Sequence, residues 1–142
     1  MGIRKVLPSS TMEQSKARMR LIMPVKSLNS SVFKWPDRLA VDRAARSWAA
    51  REARRHPELL RLGYFGSYAR GDAGVGSDLD VIAIVREAAE PFERRSLIWD
   101  LNALPVPADI IIYTRDEWER LQKRGERFAR MLKSQVVWVY PH

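Results

Sequence analysis

The stretch from Gly66 to Val85 limits most strongly how this chain can fold. It reads Gly-Ser-Tyr-Ala-Arg-Gly-Asp-Ala-Gly-Val-Gly-Ser-Asp-Leu-Asp-Val-Ile-Ala-Ile-Val, and an apolar run from Leu59 to Phe65 precedes it. Apolar runs on either side of a polar, glycine-containing segment predict two strands joined by a loop. We therefore expect a sheet whose polar groups are concentrated in this loop.

Two aspartates open the second of these strands. Asp78 and Asp80 stand two residues apart in Ser-Asp-Leu-Asp, and the alternation of side chains along a strand places such residues on one face. Neighbouring carboxylates repel each other unless a cation lies between them. Hard ions such as Mg²⁺ are commonly held by one or two carboxylates together with substrate phosphates. The pair therefore indicates a site for a divalent metal.

The first half of the stretch suits a phosphate group. Gly66 lets the backbone approach a ligand closely, Ser67 adds a hydroxyl donor, and a short helix starting there would direct N–H groups towards an anion. Arg70 supports two interpretations, a contact with substrate phosphates or an ion pair that holds the loop. A purely structural interpretation is also open, in which Ser77 forms a turn and Asp80 pairs with an arginine.

The combination of Gly66-Ser67, Arg70-Gly71 and Ser77-Asp78-Leu79-Asp80 resembles the nucleotidyltransferase superfamily that includes DNA polymerase β and kanamycin nucleotidyltransferase. The similarity covers roughly residues 37 to 140 and is greatest to the minimal nucleotidyltransferases (MNT), a small stand-alone branch often encoded beside a HEPN-type partner. The motif is specific because it places several residue types at set spacing. The resemblance implies an α/β (α+β) fold, a small mixed β-sheet with helices packed on it, like the palm of polymerase β.

The resemblance also implies a third catalytic carboxylate on a later strand, and Asp109 stands at the head of the run Ile110-Ile111-Ile112. An acid there is costly to bury without a partner, so we expect it to face a cleft or a cation. By family likeness, Asp78, Asp80 and Asp109 would bind two Mg²⁺ ions and carry the catalysis. The residues expected to bind the nucleotide are Gly66, Ser67, Arg70 and Ser77.

The activity implied by the family is transfer of a nucleoside monophosphate to a hydroxyl acceptor. The expected donor is ATP and the expected acceptor lies on a partner protein, because some MNT antitoxins transfer AMP to a HEPN ribonuclease. A non-catalytic antitoxin that occludes a HEPN-type toxin is an alternative from another functional class. A second alternative is RNA or DNA binding, for which salt-dependent affinity is the test.

Composition excludes several classes of protein. A chain of 142 residues suits one compact domain. The absence of Cys and the presence of two His exclude a disulfide framework and disfavour zinc, so a metal would be bound through oxygen. No apolar run reaches the length of a membrane span, and we expect a soluble, cytoplasmic protein in which oligomers are possible. The net charge of +8 favours polyanionic partners or an acidic protein.

Residues 1–35 are expected to be a basic N-terminal segment, and residues 36–142 the nucleotidyltransferase domain. The first 34 residues hold seven Lys or Arg and one acid, Glu13. Such a composition is typical of a poorly ordered leader, of a basic arm for nucleic acid or of a transit peptide. We favour a poorly ordered, non-catalytic segment.

The remaining elements are predicted from apolar spacing and capping residues. They are a helix from Asp37 to about Arg55, a helix after Pro91 with the stripe Leu97, Ile98, Leu101 and Leu104, a strand from Ala108 to Tyr113, a helical stripe from Trp118 to Leu132 capped by Thr114 with a possible break at Gly125, and a strand from Val136 to Tyr140.

Overall fold

Four strands form one mixed sheet in the order β3-β2-β1-β4. The structure, a computed structural model, describes residues 35–141. The predictions made for the basic N-terminal segment fall on residues 1–34, outside the described residues. The elements are α1 (Arg38–Arg55), β1 (Leu59–Phe65), α2 (Ser67–Arg70), β2 (Leu79–Val85), two 3₁₀ helices (Phe92–Ile98 and Leu101–Ala103), β3 (Ala108–Thr114), α3 (Arg115–Arg124), α4 (Arg127–Gln135) and β4 (Val137–Tyr140).

The direction of the strands brings two strand starts to the same edge of the sheet. β1 is antiparallel to both β2 and β4, whereas β2 and β3 are parallel neighbours. A parallel pair needs a crossover connection, which here runs through the two 3₁₀ helices. Because β2 and β3 point the same way, the residues that open them lie side by side.

Both faces of β2, an inner strand of the sheet, are buried, as its unbroken apolar sequence predicts. Val81, Ala83 and Val85 face a core that includes Trp48 of α1, and Ile82 and Ile84 face a second core that includes Leu132 of α4. The predicted mixed sheet with helices packed on it is therefore confirmed.

Local capping signals also match the structure. Asp37 is the N-cap of α1, and its carboxylate accepts a hydrogen bond from the Ala40 amide at 2.8 Å. Thr114 caps α3 in a capping box with Glu117, in which each side chain accepts from the other residue's backbone N–H. Gly125 breaks the predicted long stripe into α3 and α4, because it ends α3 with φ at 64°.

The predicted helix after Pro91 is wrong in type, and only part of its predicted stripe is buried, namely Leu104 and, in part, Leu101. The segment forms 3₁₀ turns, and Leu97 and Ile98 of the predicted stripe are 68% and 41% exposed. Arg95 is buried instead, because its guanidinium donates to the Ile112 carbonyl and to both carboxylate oxygens of Glu117. A 3₁₀ helix repeats every three residues, so a stripe spaced for an α-helix does not stay on one side.

Candidate active site

Asp80 and Asp109 are directly opposite each other on the parallel strands β2 and β3. Asp78 lies one residue before β2, two positions from Asp80. The amide of Leu79 donates to the Pro107 carbonyl at 2.8 Å, which keeps the two strand starts level. The structure thus brings the three predicted acids to one edge of the sheet.

The carboxyl of Asp80 lies in an electrostatically unfavourable environment. Burial raises its pKa, and the nearby charges of Asp78 and Asp109 raise it further, to about 6, while Arg70 opposes the shift. The ionised carboxylate is therefore held in an unfavourable place. A cation at this edge of the sheet would relieve that repulsion.

The backbone of Gly66 lies directly against the Asp80 carboxylate. Its backbone angles are φ 78° and ψ −150°, a conformation almost restricted to glycine, and a Cβ at this position would overlap the Oδ2 atom of Asp80. The Gly66 carbonyl accepts hydrogen bonds from the amides of Ala69 and Arg70, which start the α2 turn. Ser67 therefore opens a helical turn beside the Asp80 carboxylate.

Ser77 and Tyr68 hold the loop between α2 and β2. The Ser77 hydroxyl accepts a hydrogen bond from the Gly74 amide at 2.8 Å, and the Ser77 amide donates to the Gly74 carbonyl at 3.0 Å. Tyr68 is 2% exposed; its hydroxyl donates to the Ser77 carbonyl at 3.4 Å and accepts from the Trp35 indole N–H at 3.0 Å. These bonds hold the residue that precedes Asp78.

Arg70 lies at the surface of the same loop. Its Nε atom is 3.2 Å from a carboxylate oxygen of Asp72, and both side chains are about half exposed or more. The arginine therefore pairs within its own loop, with Asp72, as the structural interpretation of this residue expects. An exposed pair of this kind is weak, so the guanidinium is available to a stronger anionic ligand.

The donor set at this edge fits magnesium. Within residues 35–141, no group of three His, Cys, Asp or Glu side chains is arranged to hold a metal ion by itself. Magnesium seldom uses an all-protein site, since it keeps water and takes one or two carboxylates together with substrate phosphates. Two or three aspartates beside a turn with N–H donors meet that requirement, and oxygen is the only ligand type they offer.

The sequence profile of the nucleotidyltransferase domain matches residues 47–135, which is more than half of the chain. The chain belongs to the nucleotidyltransferase family. The matched range contains Gly66, Asp78, Asp80 and Asp109. No curated protein matches the chain significantly.

Two solved structures are similar to this nucleotidyltransferase domain. A candidate nucleotidyltransferase from Sulfolobus solfataricus has a TM-score of 0.51 and 20% identity, with 71% of this chain and 80% of that chain covered. The structure of a toxin-antitoxin with AMP-PNP has a TM-score of 0.49 and 20% identity, with 68% of this chain and 73% of that chain covered. The first similarity supports the fold.

Three residues near this site of the nucleotidyltransferase domain were not predicted from the sequence. Trp35 and Tyr68 hold the Ser77 loop, and Gln135 accepts a hydrogen bond from the Gly66 amide. Tyr68 follows directly after Gly66-Ser67, so its position in the motif was the one available signal. Trp35 and Gln135 lie 33 and 69 residues from their partners, and no local pattern indicates such contacts.

Proposed function

We propose that this protein transfers a nucleoside monophosphate, AMP from ATP, to a hydroxyl group on a partner protein. The observation that carries the proposal is the pairing of Asp80 with Asp109 at the starts of parallel strands, with Asp78 two residues away and Gly66 against Asp80. Family membership supports a transferase. The nature of the donor and acceptor rests on the resemblance to MNT antitoxins of HEPN partners.

Asp78, Asp80 and Asp109 would hold Mg²⁺, two ions by family likeness. When bound, the metal lowers the pKa of the acceptor hydroxyl and neutralises charge on the triphosphate. Asp109 would take the proton of that hydroxyl. Ser67 and the first amides of α2 would receive the β- and γ-phosphates, since the first N–H groups of a helical turn have no partner within it.

The reaction needs no covalent nucleophile from this chain. The acceptor oxygen forms a bond to the α-phosphorus, the bond from that phosphorus to the bridging oxygen of the β-phosphate breaks, and pyrophosphate leaves. The acceptor proton passes to a carboxylate and then to water. Residues of the chain therefore act by orienting the reactants and by stabilising charge. Arg70 and Ser77 would also bind the nucleotide. Arg70 would contact its phosphates, and Ser77 would contact it from the loop that precedes Asp78.

A binding module that occludes a toxin is the second candidate, and one surface favours it. The 3₁₀ helix exposes Phe92, Leu97 and Ile98, which are 48%, 68% and 41% accessible. Large exposed apolar patches are typical of protein interfaces, and these three exposed side chains belong to one short segment. Occlusion through this surface would need no chemistry at Asp80. No observation in residues 35–141 favours nucleic-acid binding, because +6 of the net charge of +8 belongs to residues 1–34, outside the described residues.

Transfer of α-labelled ATP in a host lysate containing Mg²⁺ tests the proposal, with GTP, CTP and UTP in parallel. Wild type should label a protease-sensitive band, and Asp80→Asn should not. Asp72→Asn is the matched control and should retain labelling, because Asp72 is an exposed acid in the loop between α2 and β2. Label in a nuclease-sensitive product would reassign the acceptor to nucleic acid. No label from any nucleotide with folded wild type would favour the occluding module.

A further inference from the structure

The amide of Gly66 is held by a residue from the far end of the domain. Its N–H donates a hydrogen bond to the side-chain Oε1 of Gln135 at 3.3 Å, across 69 residues of sequence. The Gly66 carbonyl is already occupied by the amides of Ala69 and Arg70. Both polar groups of this glycine are therefore committed, one to the α2 turn and one to Gln135.

Gln135 lies at the position where β4 would pair with Gly66 if the strand were longer. In the antiparallel pairing of β1 with β4, Gly63 is opposite Trp138 and Tyr64 is opposite Val137. Continuing that register by two residues places Gly66 opposite position 135. Residue 135 is the last residue of α4, so no strand backbone is available there. The side-chain amide of Gln135 takes the place of the missing strand carbonyl.

The end of α4 that carries Gln135 is fixed by packing. Leu132, one turn before Gln135, is fully buried in the core beneath α4, and its carbonyl accepts the Val136 amide at 3.1 Å as the helix ends. Gln135 is itself partly buried. Because Gln135 lies on a fixed helix end, its hydrogen bond makes the position of Gly66 depend on the position of α4.

We propose that Gln135 is a positioning residue of the transfer site. By holding the Gly66 amide, it sets the backbone surface against which the Asp80 carboxylate rests and from which the α2 turn begins. This inference rests on the proposed function for its kinetic consequence, although the contact itself does not. It also occupies the Gly66 N–H, so this amide is not available to a phosphate.

The test compares Gln135→Leu, which keeps the volume and removes the acceptor, with Gln135→Glu, which keeps an acceptor oxygen. Gln122→Leu is the matched control, since Gln122 also makes a side-chain bond to backbone, to the Ala129 carbonyl at 3.5 Å, within the same helix pair. The readouts are hydrogen exchange of the Gly66 amide, the affinity for Mn²⁺ alone, and kcat and KM for ATP.

Gln135→Leu should speed exchange of the Gly66 amide about tenfold and weaken Mn²⁺ binding by a similar factor, as loss of one hydrogen bond predicts. Its kcat should fall about ten- to a hundredfold, with KM for ATP changed less than about threefold. Gln135→Glu should restore slow exchange of Gly66, and Gln122→Leu should match wild type in all readouts.

Unchanged Gly66 exchange and Mn²⁺ affinity in Gln135→Leu would overturn the inference. Equal losses in Gln122→Leu would also overturn it, because the effect would then come from general loosening of α3 and α4. If wild type transfers no nucleotide, the proposed function fails on its own, while Gly66 exchange and Mn²⁺ affinity still decide the role of Gln135.

Discussion

The carboxylate of Asp80 lies against the backbone of Gly66, so closely that a Cβ on that glycine would overlap its Oδ2 atom. The same glycine has a positive φ of 78°. Gly66 therefore couples the start of the α2 turn to the position of the Asp80 carboxylate.

Gly66→Ala should destabilise the domain by at least about 2 kcal/mol, because an L-residue is strained in this conformation and must also displace Asp80. Urea unfolding measures the loss. Gly74→Ala is the control, since a Cβ there meets nothing within 4 Å and should change stability by less than about 1 kcal/mol. Equal effects at the two glycines would show that the contact with Asp80 carries no strain.

Asp80→Asn should stabilise the metal-free domain at pH 8. The folded pKa of about 6 lies above the ordinary value of 3.8 because of burial, Asp78 and Asp109. The unfolded chain thus ionises first as pH rises, and folding loses stability between pH 4 and 6 and stays penalised above that range. Removing the charge should raise Tm in EDTA by about 4 °C at pH 8 and by much less at pH 4.

Mg²⁺ gives the complementary measurement for the same variant. It should raise the Tm of wild type and leave that of Asp80→Asn nearly unchanged, because ligands stabilise the state that binds them. A lower Tm for Asp80→Asn than for wild type in EDTA at pH 8 would contradict the repulsion among the three carboxylates.

Tyr68→Phe should loosen the loop before Asp78. The substitution removes the hydroxyl that joins the Trp35 indole to the Ser77 carbonyl, and leaves buried polar groups without that partner at a cost of about 1–2 kcal/mol. Hydrogen exchange of residues 72–77 should quicken. Trp35→Phe should have a smaller effect of the same kind, and the double variant should lose less than the sum of the two. Strict additivity would contradict a shared chain of bonds.

Glu117→Gln should cost stability at neutral pH and little in acid. The hydrogen bond from Arg95, at 2.6 Å, lowers the pKa of Glu117 against the opposing effect of burial, and the Thr114 backbone lowers it further. This contribution is complete above the ordinary pKa of 4.5 and is lost as pH falls through the lower folded value. We expect a loss of about 1–2 kcal/mol at pH 7 by urea unfolding, since the pair is partly exposed.

Glu126→Gln provides the comparison for that ion pair. The side chains of Arg124 and Glu126 are 63% and 58% exposed, and an exposed pair contributes less than about 1 kcal/mol. A loss at Glu126 as large as that at Glu117 would show that burial of Arg95 does not strengthen its pair.

Some parts of the fold and of the candidate site were predictable because they depend on near neighbours. The caps at Asp37 and Thr114 involve residues three positions apart, and the apolar alternation of β2 follows from the geometry of one strand. Asp78 and Asp80 share a motif, so their proximity needed no tertiary information. Their roles in metal binding and catalysis, with those of Asp109, Gly66, Ser67, Arg70 and Ser77, stay predictions until activity is measured.

The 3₁₀ crossover shows where local prediction ended. Leu97 and Ile98 have the spacing of a buried helical stripe, yet Arg95 occupies the interior because the Ile112 carbonyl and Glu117 supply partners from β3 and α3. Burying a guanidinium requires partners that are not adjacent in sequence.

The strands, the caps and the acids at the strand starts could be predicted from local patterns, because alternation, capping and motif spacing act over a few residues. Three relationships could be seen only in the folded domain: Asp80 is opposite Asp109, Tyr68 holds the Ser77 loop and Gln135 holds Gly66. These relationships depend on strand register and on helix ends. Register is set when both faces of the sheet are covered at once, so no single segment of the chain contains it.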